Sequence, residues 1–208
     1  MTYFFTADIE TIPSETMPSL DDIKVPANYK DEAKINAWKE ANQIESWKKQ
    51  ALNSMQGSII CIGWSWNGES NTLVDPDDEE SIINGLMLDI QKISNEIRSP
   101  LVFVGWNIST FDLPWIWRKS IQYNLPELRK AIPKDNRLNY IDLMKVWASD
   151  YKDFVSLDSC AKFLSIPHET EQGSSVFDWW QAGEIDKISE HCKRDIETTV
   201  EIYRRIYE

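Results

Sequence analysis

The sequence predicts an α/β fold: a mixed five-stranded sheet flanked by helices, with a helical insertion over about residues 14–56, all in one domain spanning 1–208. Three observations predict it. The run LVFVGW at 101–106 is apolar almost throughout and of strand length, as befits a strand buried on both faces beside a parallel neighbour. Asn67-Gly68 stands between two β-prone stretches and marks an antiparallel hairpin. Helical spacing over 31–55 separates the first strand from that hairpin, and further helical stretches separate the later strands.

The elements follow in order. Tyr3-Phe4-Phe5-Thr6 is a short aromatic and β-branched run that reads as a strand leading into Ala7-Asp8-Ile9-Glu10-Thr11. Alternate side chains of a strand share a face, so Asp8 and Glu10 point the same way near its end. Like charges that close repel and raise one another's pKa unless something neutralises them. A hard divalent cation with oxygen ligands does so; open solvent at a strand end also relieves them. Residues 12–27, with Pro13, Pro18 and Pro26, read as loop. In the 31–55 helix or helix pair, Trp38, Ala41, Ile44, Trp47, Ala51 and Met55 form a stripe suited to core packing. Lys34, Lys39, Glu45, Lys48 and Lys49 occupy the other face.

Residues 57–66 read as a strand with 72–74 as its partner. The acidic run at 75–80 opens a helix to about residue 98, where its charges oppose the helix dipole favourably and stay solvated. After the 101–106 strand come Asn107 and a helix over 111–123. A short strand is expected at 138–141, with Asp142 capping the helix after it. A short helix follows over 156–165, and 175–181 reads neither way. From 184 to the end, Ile185, Ile188, Cys192, Ile196, Val200, Tyr203 and Ile206 form one stripe of a long amphipathic helix.

The formal charge of −12 excludes a module that grips nucleic acid by a basic surface alone, but suits an enzyme whose site is acidic until metals load. Cys61, Cys160 and Cys192 form no CxxC pair, so they suggest neither a zinc site nor a disulfide framework, and reduced thiols in a cytoplasmic protein are expected. No basic segment leads into an apolar run at the N-terminus, and no stretch approaches about 18 apolar residues, so neither a signal peptide nor a membrane association is expected.

Three segments then align. Asp8 and Glu10 end the first strand. Asn107-Ile108-Ser109-Thr110-Phe111-Asp112 directly follows the buried strand. If those strands are parallel, their carboxyl ends are adjacent, where open α/β sheets place ligands. His191 and Asp195, four positions apart on the last helix, share a face. Four carboxylates and one imidazole thus come from three distant segments. Phe111 serves equally as a stacking partner for a base or as core, Asn107 as a nucleotide contact or a turn cap, and Trp64, Trp66 and Trp106 as core. His168 reads as an ordinary loop histidine.

Read together as D-x-E (Asp8, Glu10), N-x-x-x-F-D (Asn107, Phe111, Asp112) and H-x-x-x-D (His191, Asp195), these residues resemble the DEDD superfamily of 3′–5′ exonucleases, with a ribonuclease-H-like fold. The resemblance is greatest to stand-alone relatives of the proofreading domain of family B DNA polymerases. It extends through Tyr140-Ile141-Asp142-Leu143-Met144, through Ser156-Leu157-Asp158 to Ile166-Pro167, through Gly173-Ser174-Ser175-Val176, and from Cys192 to Thr198. One departure stands out. In that superfamily histidine usually has four residues before the aspartate, and tyrosine three; here histidine has the tyrosine spacing. On an ideal helix His191 and Asp195 then diverge by about 40° rather than about 140°, so the imidazole enters from the tyrosine's direction.

The resemblance implies two divalent ions, Mg²⁺ or Mn²⁺, on Asp8, Glu10, Asp112 and Asp195. Asp8 would bridge both ions, Glu10 and Asp195 would complete the nucleophile-side ion, and Asp112 would support the second through water. His191 would accept a proton from the attacking water or orient it. The implied substrate is DNA at single-stranded 3′ ends. RNA under the same chemistry is the alternative, and a catalytically silent nucleic-acid-binding module is the competing reading from another class. Any proofreading role implies a separate polymerase partner.

Overall fold

The structure is a computed structural model that describes residues 3–99, 101–133, 139–149, 152–167 and 175–208. Five strands form one sheet: β1 (Phe4–Ile12), β2 (Ser58–Trp66), β3 (Glu69–Val74), β4 (Val102–Gly105) and β5 (Tyr140–Asp142), in the order β3-β2-β1-β4-β5. β1 lies parallel to β4, with Phe4 opposite Val102 and Thr6 opposite Val104, and β4 lies parallel to β5. β2 and β3 are antiparallel around Asn67 (φ 51°) and Gly68 (φ 84°). Two consecutive left-handed residues match the right-handed twist of a two-residue hairpin, and asparagine and glycine adopt that conformation at least cost. The mixed sheet and its parallel centre are those the sequence predicts.

The chain divides into two compact units, Met1–Glu10 with Ile60–Glu208, and Thr11–Ile59. In the larger unit, Phe5 and Phe103 meet edge-on at 5.4 Å, and Ile60, Cys61 and Ile62 of β2 are buried. Its helices are α2 (Glu79–Ile97), α3 (Asp112–Gln122), α4 (Pro126–Ala131), α5 (Leu143–Trp147), α6 (Leu157–Phe163), α7 (Ser175–Ala182) and α8 (Ile185–Tyr207). The acidic run before α2 serves local structure. Asp75 Oδ1 accepts from the Asp77 and Asp78 amides, and Asp78 caps α2 by accepting from the Ser81 amide at 2.9 Å. Asp142 caps α5 as expected, and Ser156 caps α6. On α8, Ile188, Cys192, Ile196 and Ile202 are buried.

Some boundaries differ from expectation. β1 continues to Ile12, so Asp8 and Glu10 lie within a strand rather than at its end; Ile9, Thr11 and Ile12 are β-branched and keep the backbone extended. α4 is an extra helix too short for periodicity to reveal, and Pro126 in its first turn is its one sequence signal. The 175–181 stretch is helical, as α7. Of the expected 138–141 strand, position 138 lies outside the described residues, as do His168, Gly173 and Ser174.

In the smaller unit, α1 (Glu32–Lys48) begins at Asp31, which caps it by accepting from the Lys34 amide at 3.0 Å. A 3-10 turn, Lys49–Leu52, follows. The expected core stripe is not a core: Trp47 is the one buried residue of α1, while Ile44 is 57% and Met55 87% exposed. Periodicity states which residues share a helix face, not whether anything covers that face. Trp47 is fixed by its indole N–H, which donates to the Ser14 carbonyl at 2.7 Å. Among the described residues no helix is long and apolar enough to cross a membrane.

Candidate active site

Strand alternation builds the first part of the site. Ala7 and Ile9 of β1 are buried on one face, so Asp8 and Glu10 project together from the other. β4 delivers the second part. Asn107 takes a left-handed conformation (φ 59°), and its carbonyl accepts the amides of Thr110 and Phe111, turning the chain into α3. Asp112 then opens α3, 3% exposed, and its Oδ1 accepts the Ile9 amide at 3.0 Å. A carboxylate in a first helical turn also faces the favourable end of the helix dipole.

The third part is α8, which lies close to the sheet because β2 carries Gly63: a Cβ there would come 2.7 Å from Cys192 Sγ. His191 and Asp195, one turn apart, face β1. His191 Nε2 is 3.7 Å from Glu10 Oε1 and 4.0 Å from Asp195 Oδ2. The imidazole is buried and meets the Trp179 ring edge-on at 5.6 Å. The structure therefore brings together Asp8, Glu10, Asp112, His191 and Asp195.

Electrostatics within this cluster are repulsive. Burial holds the Asp8 carboxyl well above the usual carboxylate range, and Asp112, Glu10, Asp195 and the Cys61 thiol push it further. Glu10 is likewise raised, by burial first and then by Asp195, Cys61 and Asp112. Asp112 is raised to about 7 by burial, against the lowering effect of its backbone hydrogen bonds, with Asp142 adding to the rise. The charges that raise Asp8 and Glu10 thus belong to other acids and a thiol. A shielded, all-oxygen carboxylate set with this mutual repulsion suits hard divalent cations. Glu10, His191 and Asp195 offer ligand atoms within 4.8 Å of one another, and so do Asp8, Glu10 and Cys192.

Other expected contributors sit differently. The Asn107 side chain is occupied locally, its Oδ1 accepting from the Thr110 hydroxyl. Phe111 is half-buried and tilted against Trp115 at 5.8 Å. Trp64 is buried, and the Trp106 indole donates to the Val155 carbonyl at 3.0 Å. Two features go beyond the sequence reading. Asp142, buried at the end of β5, accepts from the Ser109 amide and hydroxyl at 3.2 and 2.5 Å, with Lys145 Nζ 3.7 Å away, and so pins the loop that precedes Asp112. The second is the meeting of Cys61 and Cys192 behind Asp8: Cys192 Sγ is 3.7 Å from Asp8 Oδ2. Only the strand order, which puts β2 next to β1, brings Cys61 there.

Comparison with known proteins agrees with this architecture. A family model described as a predicted 3′–5′ exonuclease related to the exonuclease domain of PolB matches residues 66–208. That stretch contains Asn107, Asp112, His191 and Asp195; Asp8 and Glu10 precede it. An uncharacterized protein of Methanocaldococcus jannaschii is 25% identical over 173 residues, which cover 79% of this chain and 94% of the relative. The solved family B DNA polymerase of the hyperthermophilic archaeon Pyrobaculum calidifontis matches 99% of this chain at a TM-score of 0.65 and 13% identity. The chain spans 24% of that polymerase. The resemblance to a DEDD exonuclease domain and the ribonuclease-H-like fold are both borne out.

Proposed function

Because this chain belongs to the family of predicted 3′–5′ exonucleases related to the exonuclease domain of PolB, we propose that it removes nucleotides one at a time from the 3′ ends of single-stranded DNA, in a reaction dependent on divalent metal ions. The observation that carries this reading is the convergence of four carboxylates, Asp8, Glu10, Asp112 and Asp195, beside one buried imidazole. These carboxylates would hold two ions, Mg²⁺ or Mn²⁺. Such ions, when bound, acidify water, neutralise charge on the phosphate and stabilise the leaving oxygen.

The chain's own residues supply the rest. Water attacks phosphorus, the bond from phosphorus to the 3′ oxygen breaks, that oxygen takes a proton from solvent to become the new 3′ hydroxyl, and a nucleoside 5′-monophosphate leaves. His191 accepts the water's proton at Nε2, which faces the acids. Glu10 and Asp195, within about one carboxylate's reach, stabilise the imidazolium so formed. Trp179 holds the ring at a fixed tilt. Asp112 is held by Ile9, and the loop before it by Asp142, so the acids keep their places as charge develops.

The test is digestion of a 5′-labelled single-stranded oligonucleotide with and without Mn²⁺. A ladder shortening from the 3′ end only with metal is expected; no metal-stimulated shortening would overturn the proposal. A matched RNA strand in parallel distinguishes deoxyribonuclease from ribonuclease.

A further inference from the structure

We propose that Cys192, backed by Cys61, makes the Asp8–Glu10 end of the cluster a binding site for a thiophilic divalent cation, Zn²⁺ or Cd²⁺, which competes there with the hard cations. The inference rests on the reading of Asp8 and Glu10 as cation ligands. It adds a second donor set that shares those two carboxylates.

The geometry is specific. Cys192 Sγ lies 3.7 Å from Asp8 Oδ2 and 3.9 Å from the Asp8 carbonyl, and it shares a 4.8 Å sphere with one oxygen each of Asp8 and Glu10. The sulfur has little room to swing away. A Cβ on Gly63 would come 2.7 Å from it and 3.0 Å from Ile196 Cγ1, so the sulfur sits against the bare backbone of β2. Cys61 of β2, two positions before Gly63, has its thiol beside that of Cys192, and both are fully buried. Cys192 Sγ and one oxygen each of Asp8 and Glu10 thus converge, with the Cys61 thiol beside Cys192. A mixed set of sulfur and oxygen donors suits Zn²⁺.

Ligand softness separates the two donor sets. Mg²⁺ and Mn²⁺ prefer carboxylate oxygens and leave a thiol protonated, whereas Zn²⁺ and Cd²⁺ gain from sulfur. Binding through Cys192 releases its thiol proton to solvent, so no further reactant is needed. Because Asp8 and Glu10 belong to both sets, a thiophilic ion and a hard ion exclude one another at that end. Cys160 is a built-in control, since it lies in a separate apolar cluster with Val104, Leu143 and Ala161.

The test uses the full metal-free chain. Cd²⁺ is titrated while the ultraviolet sulfur-to-cadmium charge-transfer band is recorded, and bound Mn²⁺ is followed separately by electron paramagnetic resonance. The wild-type chain is expected to develop the band and to release Mn²⁺ as Cd²⁺ binds. Cys192→Ser is expected to lose the band and bind Cd²⁺ at least about tenfold more weakly, the loss that even an outer-sphere partner can cause, while still binding Mn²⁺. Cys160→Ser is expected to keep the band. A wild-type chain that binds Mn²⁺ but shows no band overturns this inference alone, and needs no variant to fold. A band that survives Cys192→Ser, or is lost in Cys160→Ser, also overturns it. A band in a chain that never binds Mn²⁺ supports the thiol site and counts against the proposed function instead.

Discussion

The Ile9 amide donates to Asp112 Oδ1 at 3.0 Å, joining residues 103 positions apart, the middle of β1 and the start of α3. Asp112 therefore has two duties, to accept this buried N–H and to carry charge at the site. Substitutions separate them. Asp112→Asn keeps an oxygen acceptor and removes a charge that burial opposes. Asp112→Ala leaves the Ile9 amide unsatisfied, at a cost of about 1–3 kcal/mol. Both variants are expected to lose metal-dependent cleavage, but only the alanine variant is expected to unfold at lower denaturant than wild type. Equal unfolding midpoints for the two would show that the hydrogen bond contributes nothing to stability.

The raised carboxyls make metal-free stability depend on pH in a definite direction. Asp8 and Glu10 lie well above the carboxylate range and Asp112 at about 7, whereas an unfolded chain releases these protons near about pH 4. Between those limits the folded state binds more protons, so stability falls as pH rises. The contribution is fully present below the unfolded value and is lost as pH passes about 7 for Asp112. In a chelator, Tm is expected to fall between about pH 5 and about pH 8, less steeply in an Asp8→Asn, Asp112→Asn double variant. Saturating Mn²⁺ is expected to flatten the wild-type curve. Wild type and double variant with identical slopes would contradict the raised values.

Local signals made much of this legible in the sequence. Asn67-Gly68 names its own turn, because few residue pairs tolerate two left-handed conformations. The spacing of Asp8 and Glu10, and of His191 and Asp195, follows from strand and helix geometry alone. Relations set by tertiary contact were not legible. Nothing near Cys61 announces Cys192, since their meeting depends on β2 lying next to β1 and on the bare backbone at Gly63. The stripe on α1 follows the right period yet leaves Ile44 exposed, because a partner for that face is a fact about the rest of the chain. The role of Asp142 in holding Ser109 was hidden behind its simpler role as a helix cap.

Away from the site, Lys119 and Glu79 form a buried ion pair at 3.0 Å, with side chains 4% and 9% exposed, and the Tyr123 hydroxyl donates to the same Glu79 oxygen at 2.6 Å. The contact joins the first turn of α2 to α3, the helix that carries Asp112. Removing Lys119 leaves the buried Glu79 charge without its lysine. Lys119→Met is expected to destabilise by about 3–5 kcal/mol, whereas adding Glu79→Gln is expected to restore much of that loss. Denaturant unfolding of both variants checks this. A single variant as stable as wild type would show that the pair is not needed to hold α2 on α3.

His191 carries the last prediction, because its spacing leaves two roles open, proton acceptor and positioner of water. Its Nε2 lies 3.7 Å from Glu10 and 4.0 Å from Asp195, with the ring braced by Trp179. That placement suits a base, since Nε2 faces the carboxylates that would hold the ions and the attacking water beside them. His191→Ala is expected to lower kcat at neutral pH by about 10²–10⁴-fold. His191→Gln is the decisive comparison, because glutamine hydrogen-bonds water but does not take up its proton at neutral pH. If His191 is the base, glutamine is as slow as alanine. A glutamine variant with near wild-type kcat would instead make His191 a positioning residue and give the proton to another acceptor.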